Sequence, residues 1–513
     1  MLPFLLFLPT LAFGATPSLW PLPQAMKHGD GVMPLGPDVL LCYGEDCEEL
    51  PNDIQDGWDR AAPLIFSHSV SSSVSTTLTI SIDDPSAELN LEADESYILT
   101  VSESTIEITS PTQLGYYHAL QTLSQLVEFD YDSEAYSIPN TPLTITDSPR
   151  FAHRGILVDS ARHFEPVPTL HRVIDSLTYA KLNVLHWHLV DTQSFPFDSP
   201  SYPDLGKMGA FSKEERYTVG DVEGVVEYAR KRGVRVMVEI DTPGHAASWC
   251  KGYPEVCPST DCTQPLNPST NATFDLIEGL FKDLTGGKKG EGIFPDDIMH
   301  LGGDEVDTSC WSSSDDISKW MEDQGMDEDG TYAYFIGRVQ EIAHGMGREV
   351  VGWEEIWNHF KTDLDPTTIV HVWLPGSSVG PEATKAGYRV IWSRSDLWYL
   401  DWLKTSWDSM YEAEPTDGIA EEDQHLVLGG EGCMWGETVD TSDILQTIWP
   451  RGAAIAERLW SDKGSTTKAA DAEGRYKEFR CLLNRRGIEA APSMNMIGRE
   501  APESPGGCLD QRR

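Results

Sequence analysis

Positive charge is what this sequence has least of: 38 Lys and Arg stand against 82 Asp and Glu, a formal net charge of −44. Such a chain repels phosphate backbones and anionic bilayers, so nucleic acid is excluded as a partner class. Long apolar runs are also lacking. Beyond Met1–Phe13 no stretch approaches the ~20 residues that span a bilayer, so no membrane span is expected. Metal-binding spacing is missing too. The nine cysteines have no clustered histidine partners, and Trp187 separates His186 from His188 with no carboxylate triad following, so neither a metal nor another cofactor is expected. What is present points to export. Met1–Phe13 is apolar and runs into Ala12-Phe13-Gly14-Ala15, a small-residue pattern suited to signal peptidase, so residues 1–15 read as a signal peptide. In an exported chain nine cysteines suggest four bridges and one remainder. Cys42 with Cys47 and Cys250 with Cys257 are close enough for local loops, although spacing does not set connectivity. Asn271-Ala272-Thr273 is a glycosylation acceptor, whereas Asn267-Pro268-Ser269 is blocked by its proline.

A chain of 513 residues has room for two domains, one of them a barrel. In residues 16–150, Leu78, Ile80 and Ile82 alternate, and Tyr97–Val101 with Thr105–Thr109 reads as a hairpin. Tyr116, Ala119, Leu120, Leu123 and Val127 recur at helical spacing, enough to cover one face of that sheet. A smaller α+β domain with one solvated sheet face is expected. From Phe151 the rhythm changes to short apolar runs between amphipathic segments, the pattern of parallel strands under helices. Eight runs stand out: His153–Val158, Leu182–Leu189, Val234–Ile240, Ile298–Gly303, Glu349–Trp353, Thr368–Trp373, Tyr388–Trp392 and Leu426–Gly430. Helical patterns lie between them, such as Val222, Val225, Val226 and Ala229 closed by Gly233. Residues 151–465 are therefore expected to form a (β/α)8 TIM barrel, an α/β fold whose active site lies at the C-terminal strand ends.

Those ends carry acids, histidines and tryptophans. The second run leads to Asp191, the third through Glu239 and Asp241 to His245, and the fourth to Asp304-Glu305. The fifth and sixth end in Trp353 and Trp373, the seventh runs on to Tyr399 and Asp401, and the eighth to Trp435 and Glu437. Tryptophan rings pack on the apolar faces of sugars while carboxylates accept bonds from hydroxyls, so the mixture describes a carbohydrate pocket. Adjacent residues on an extended chain point in opposite directions, so Asp304 and Glu305 cannot flank one bond as an ordinary glycosidase pair does. Their jobs must differ, unless Asp304 is merely the N-cap of a helix whose first turn carries Glu305.

His153-Arg154-Gly155, Asp159–His163, Leu182–Asp191, Asp241–His245, His300–Val306, Gly430–Glu437 and Ala456–Trp460 together resemble the β-N-acetylhexosaminidases of glycoside hydrolase family 20. The resemblance covers nearly the whole chain. It implies an exo-acting, retaining enzyme that removes terminal N-acetylhexosamine from an oligosaccharide or glycoconjugate, the substrate's own 2-acetamido oxygen attacking C1. Glu305 would be the general acid and then base, Asp304 would orient the acetamido group, and Tyr399 would bond its oxygen. Trp353, Trp373 and Trp435 would form the acetamido pocket, Arg154, Asp401 and Glu437 would bind outer hydroxyls, and Asp191 and His245 would support the acid. These roles ask that the two carboxyls titrate apart, with Glu305 raised by burial among aromatics. Some relatives carry Asn-Arg where this chain has Asp401-Trp402, which implies a preference here for neutral over 6-sulfated sugars. The same resemblance pairs Cys262 with Cys310 and Cys481 with Cys508, leaves Cys433 free, and makes residues 466–513 a helix and tail packed on the barrel. A homodimer and a secreted or lysosome- or vacuole-like location are further expectations. Two alternatives stand beside this reading: a conventional retaining glycosidase with Glu437 or Glu239 as nucleophile, and a sugar-binding protein without catalysis.

Overall fold

The computed structural model describes residues 17–70, 74–493 and 508, so the segment read as a signal peptide lies outside the described residues. Two compact units divide the chain, one ending at Ser148 and the other beginning at Pro149, with residues 88–93 belonging to the second. In the first unit β1 (Ala25–Leu35), β2 (Val39–Tyr43), β3 (Thr76–Asp84), β4 (Tyr97–Val101), β5 (Thr105–Thr112), β6 (Glu128–Asp130) and β7 (Ala135–Asp147) form one sheet. Its order is β1-β7-β4-β5-β3-β2, with β6 paired to β7. Alternation in sequence becomes alternation in burial: Leu78, Ile80, Leu99, Val101, Ile106 and Ile108 are buried, and Ile98 is exposed. The expected helix spans Gln113–Leu126 and starts at Thr112, whose hydroxyl accepts the Leu114 N–H. A second helix, Asn52–Ile65, went unread in the sequence; it buries Ile54, Gly57, Ala61 and Ile65. The hydroxyls of Tyr116 and Tyr117 tie the two helices by donating to the carbonyls of Ile54 and Asp53.

In the second unit β8 (His153–Asp159), β9 (Val184–Val190), β10 (Arg235–Ile240), β11 (Ile298–His300), β12 (Glu349–Trp353), β13 (Ile369–Val372), β14 (Arg389–Trp392) and β15 (Val427–Met434) close into an all-parallel barrel. Helices alternate with the strands. Val219–Arg230, for instance, opens with a capping box between Thr218 and Asp221 and packs Val222, Val225, Val226 and Ala229 inward. The C-terminal helix, Ala469–Arg485, packs by an ion pair from Arg475 to the buried Glu457 at 2.6 Å and by stacking Tyr476 on Trp407. Disulfides join Cys42 to Cys47, Cys250 to Cys257, Cys262 to Cys310 and Cys481 to Cys508, and Cys433 is free and buried.

Inside the barrel the side chains fall into tiers. Val184, Met237, Ile298, Val351, Ile369, Ile391 and Leu428 form an apolar layer toward the N-terminal ends of the strands, each burial worth roughly 1.5–3 kcal/mol. Above it lies an unusual polar tier: His153, His186, Glu239, His300, His371 and Glu431 are all fully buried. Burying a carboxylate costs several kcal/mol unless it is paired. Here Glu431 meets His153 at 2.5 Å and His186 at 2.7 Å, and Glu239 meets His188 at 2.6 Å. Leu157, Trp353, Tyr399 and Cys433 make the tier above, with Trp373 and Trp435 packed against it.

Candidate active site

The site begins where β11 ends. β11 stops at His300, earlier than the apolar run suggests, because Gly302 and Gly303 take φ of 70° and 91°. Gly302 must be glycine on steric grounds as well, since a Cβ there would lie 1.8 Å from Oδ1 of Asp241. That same oxygen accepts the Gly303 N–H at 2.9 Å. Glu305 follows with φ of 48°, a conformation uncommon for residues with long side chains. The next helix is Ser309–Ser313 and its N-cap is Thr308, so Asp304 caps nothing. The turn sends the two acids apart. Asp304 is buried, whereas the Glu305 side chain is 59% exposed.

Asp304 lies beside two other carboxyls, those of Asp241 and Glu355. Burial and the Asp304 charge hold the Asp241 carboxyl well above the usual carboxylate range, so Asp241 keeps a proton and bonds Asp304. Burial and Asp304 likewise push Glu355 up to about 8, and Glu355 accepts the Trp373 indole N–H at 2.9 Å. His245 Nε2 lies 3.7 Å from Asp304 and 3.5 Å from Glu305. The hydrogen bond from His245 lowers the Glu305 carboxyl, outweighing the effect of partial burial. This corrects the expectation of a Glu305 raised by aromatic burial: the αL turn carries it away from the rings and toward His245. Asp304 Oδ1 has no partner among the described residues.

Four rings close a box. Trp353 and Trp373 lie 6.5 Å apart at 74°, Trp373 and Tyr399 6.2 Å apart and nearly parallel, Tyr399 and Trp435 6.2 Å apart, and Trp435 and Trp353 5.8 Å apart. Each ring is anchored by its own strand end: Trp353 closes β12, Trp373 follows β13, Tyr399 follows β14 and bridges to Cys433, and Trp435 follows β15. Glu239 fixes the Trp353 indole N–H at 2.8 Å. Burial holds the Tyr399 hydroxyl well above its ordinary value, with Asp304 among the charges acting on it, so it remains a donor.

On the outer side, Arg162 reaches Asp159 and Asp191 at 2.8 Å each and Glu437 at 3.6 Å, and its guanidinium lies 5.2 Å from the centre of the Trp435 ring. Asp191 accepts from His188 at 2.8 Å and from His245 at 3.2 Å, which together outweigh burial and hold its carboxyl low. Burial pushes Asp401 up to about 7, and its Oδ1 has no partner among the described residues.

Eight of the nine expected substrate-contacting or supporting residues thus converge with Asp304 and Glu305; Arg154 does not. Arg154 is the second residue of β8, at the other end of the barrel, fully buried, donating to the carbonyls of Phe151 and Lys181 and lying 5.0 Å from the Trp460 ring centre. Arg162 occupies the place expected of it. Asp241, Arg162 and Glu355 were missed as site residues in the sequence, although the first two lie inside quoted motifs. Glu239, the buried candidate nucleophile, is engaged by Trp353 and His188 and has no exposed surface, so it cannot attack an anomeric carbon. Among the described residues three groups have ligand atoms close enough for a metal: His186, His371 and Glu431; His186, Glu239 and His300; and Asp241, His245 and Asp304. In the first, the His186 Nδ1 is engaged by Glu431 at 2.7 Å and the His371 Nδ1 by His300 at 3.2 Å.

An aromatic box, an inward carboxylate with a free oxygen and an outward carboxyl beside an imidazole define a carbohydrate-cleaving site on a TIM barrel. The comparisons name the class more closely. Residues 151–463 match the profile "Glycosyl hydrolase family 20, catalytic domain", and residues 19–126 match "beta-acetyl hexosaminidase like". The chain belongs to glycoside hydrolase family 20. It is 42% identical to Beta-hexosaminidase 1 of Arabidopsis thaliana over 96% of this chain and 94% of that protein. It is 36% identical to Beta-hexosaminidase subunit beta of Homo sapiens, over 94% and 90%. Its fold is similar to that of the chitobiase of Flavobacterium johnsoniae, with a TM-score of 0.81 and 29% identity over 92% of this chain and 73% of that one.

Proposed function

We propose that this glycosidase is an exo-acting, retaining β-N-acetylhexosaminidase that removes terminal β-linked N-acetylglucosamine or N-acetylgalactosamine by substrate-assisted catalysis. The observation that carries the reading is the closed box of Trp353, Trp373, Tyr399 and Trp435 beside the unpartnered Oδ1 of Asp304. The box suits an acetamido methyl. Asp304 accepts the acetamido N–H while Tyr399 donates to the carbonyl oxygen, which turns that oxygen toward C1. The oxygen attacks C1, the bond from C1 to the leaving oxygen breaks, and Glu305 delivers its proton to that oxygen. Asp304 stabilises the cationic oxazolinium ring. Glu305, now a carboxylate, takes a proton from water as the water attacks C1, and the ring reopens to the free sugar with its configuration retained. Asp401, Glu437 and Arg162 bind the outer hydroxyls. Because Glu305 is held low in the free chain and must begin protonated, kcat/KM is highest at acidic pH and falls as pH rises.

In this reading residues 16–150 are a stabilising α+β domain, 151–465 the catalytic barrel and 466–513 its C-terminal helix and tail, of which 494–507 and 509–513 lie outside the described residues. The enzyme is also read as exported, to the medium or to a lysosome- or vacuole-like compartment, with Asn271 glycosylated and a homodimer as its assembly. Four disulfides support export, since such bonds persist in oxidising compartments, and Asn271 is exposed at the start of the helix Asn271–Thr285. No helix of the described residues is long and apolar enough to cross a membrane. The test is release of an aryl group from matched β-N-acetylglucosaminide, β-N-acetylgalactosaminide and β-glucoside. The N-acetylated sugars are expected to be cleaved and the plain glucoside to be almost inert; comparable rates would overturn the assignment.

A further inference from the structure

Glu239 lies near the C-terminal end of β10, out of reach of any substrate, and its two oxygens divide their partners. Oε1 accepts the Trp353 indole N–H at 2.8 Å and lies 3.2 Å from His300 Nδ1. Oε2 pairs with His188 Nδ1 at 2.6 Å and lies 3.0 Å from His186 Nε2. From His188 a line of contacts leads outward. Nε2 of His188 reaches Asp191 at 2.8 Å, Asp191 meets His245 Nδ1 at 3.2 Å, and His245 Nε2 faces Glu305 at 3.5 Å. One buried carboxylate thus holds a wall of the aromatic box with one oxygen and leads to the outward acid with the other.

We propose that Glu239 is a positioning residue for the reaction, fixing the Trp353 wall against the N-acetyl group and holding His188 by its Nδ1 so that Asp191 and His245 are set beneath Glu305. This rests on the roles given above to Trp353, His245 and Glu305. The surroundings supply the reason for a charge here. His153 of β8, His186 and His188 of β9, His300 of β11, His371 of β13 and Glu431 of β15 face the same space, and β12 adds Trp353. Burial opposes charge throughout. Even so, Glu431 and Glu239 hold His186 up at about 9, and Glu239 and Asp191 hold His188 well above its ordinary value. The histidines in turn outweigh burial to keep Glu239 and Glu431 well below theirs. Burial lowers His153, His300 and His371, which disfavours charge on them. The tier therefore pairs His186 with Glu431 and His188 with Glu239, and neutralising Glu239 removes the counter-ion of His188.

The test is a pair of double-mutant cycles on kcat/KM for an aryl N-acetyl-β-glucosaminide: Glu239→Gln with His245→Gln, and Glu239→Gln with Trp353→Phe. Gln keeps the volume and one acceptor but not the charge. Alone it should cost about ten- to a hundredfold, as expected when a site's support is misplaced. Each double variant should lose at least about tenfold less than the product of its singles, because both changes act along one line of contacts. A residue needed only for stability would change the folded fraction and leave the cycles multiplicative, so losses that multiply within about twofold in either cycle overturn the proposal. If Glu239→Gln does not accumulate folded, His188→Gln cuts the line one link further on; it should couple to His245→Gln, and a multiplicative result overturns the proposal equally. Failure of the underlying functional reading would show separately, as equal cleavage of N-acetylated and plain sugars by the parent enzyme whatever the cycles give.

Discussion

Replacing His245 by Gln should move the alkaline side of the pH profile upward. The imidazole faces three carboxylates: Asp191 at 3.2 Å from Nδ1, and Asp304 and Glu305 at 3.7 and 3.5 Å from Nε2. Burial opposes its charge, but Asp304 and the bonds to Asp191 and Glu305 outweigh burial and raise it far above an ordinary histidine, so it is a cation throughout the working range. Two unit charges 3.5 Å apart interact by about 5 kcal/mol at an effective dielectric of 20 and by about 1 kcal/mol in bulk water. The Glu305 side chain is 59% exposed, so solvent screening selects the lower end. At about 1.4 kcal/mol per pH unit, about 1 kcal/mol is a little under one unit. As the proposed acid, Glu305 must carry its proton when the reaction starts, so kcat/KM is expected to decline as pH rises through its pKa. Removing the cation raises that pKa, and the decline should move to higher pH by about one unit, with a lower plateau from lost positioning. The assay is kcat/KM for an aryl N-acetyl-β-glucosaminide at fixed ionic strength from about pH 3 to pH 9. A decline that stays in place, or moves to lower pH, refutes the reasoning.

Glu305→Gln should abolish turnover of poor leaving groups while sparing the first step on activated aryl glycosides, which need little protonation; single-turnover rates on both separate the cases, and equal losses would count against Glu305 as the acid. Asp401, pushed up to about 7 by burial, is neutral below that pH and anionic above it. The preference for a neutral over a 6-sulfated N-acetylglucosaminide should therefore grow as pH rises through 7, and in Asp401→Asn it should be weaker and flat; a parent ratio unchanged from pH 5 to 9 would place Asp401 away from the sugar's O6 (about one charge pair at stake). Arg154→Lys should lower stability by about 1–3 kcal/mol, read as a fall in Tm, and leave kcat/KM within about twofold. Arg162→Gln, by contrast, should cut kcat/KM by about a hundredfold, and the reverse pattern would restore Arg154 to the site.

The barrel was legible because strands buried on both faces read as unbroken apolar runs. Glu349–Trp353 agrees with β12 at both ends. The last run was cut short at Gly430, where glycines look like breakers, yet β15 continues to Met434. A Cβ on Gly430 would sit 2.3 Å from the Trp392 carbonyl oxygen, so that glycine marks close approach between strands rather than an end. The helix Asn52–Ile65 was hidden by Pro51, Gly57 and Pro63, residues that usually interrupt helices, although Ile54, Ala61 and Ile65 keep its spacing. At the site, strand ends were enough to collect acids and tryptophans. The exposure of Glu305 was not readable, because it depends on positive φ at Gly302 and Gly303. Arg162, three residues beyond the end of β8, obeys the strand-end rule that Arg154 breaks. Asp241 stands among the strand-end acids, but its part in the site is not readable there, since proton sharing between carboxylates distant in sequence leaves no periodic trace.

Cys433, the free thiol in the floor of the box with Leu157, Trp353 and Tyr399, has a use unrelated to sugar. Burial pushes the thiol well above its ordinary value, and it has no exposed surface. A thiolate reagent therefore reaches it only when the barrel itself parts, and the labelling rate of this single side chain times that opening from within. An inhibitor that fills the box should slow the labelling in proportion to its occupancy, which turns an ordinary alkylation assay into a clock for how often the catalytic half of the molecule breathes.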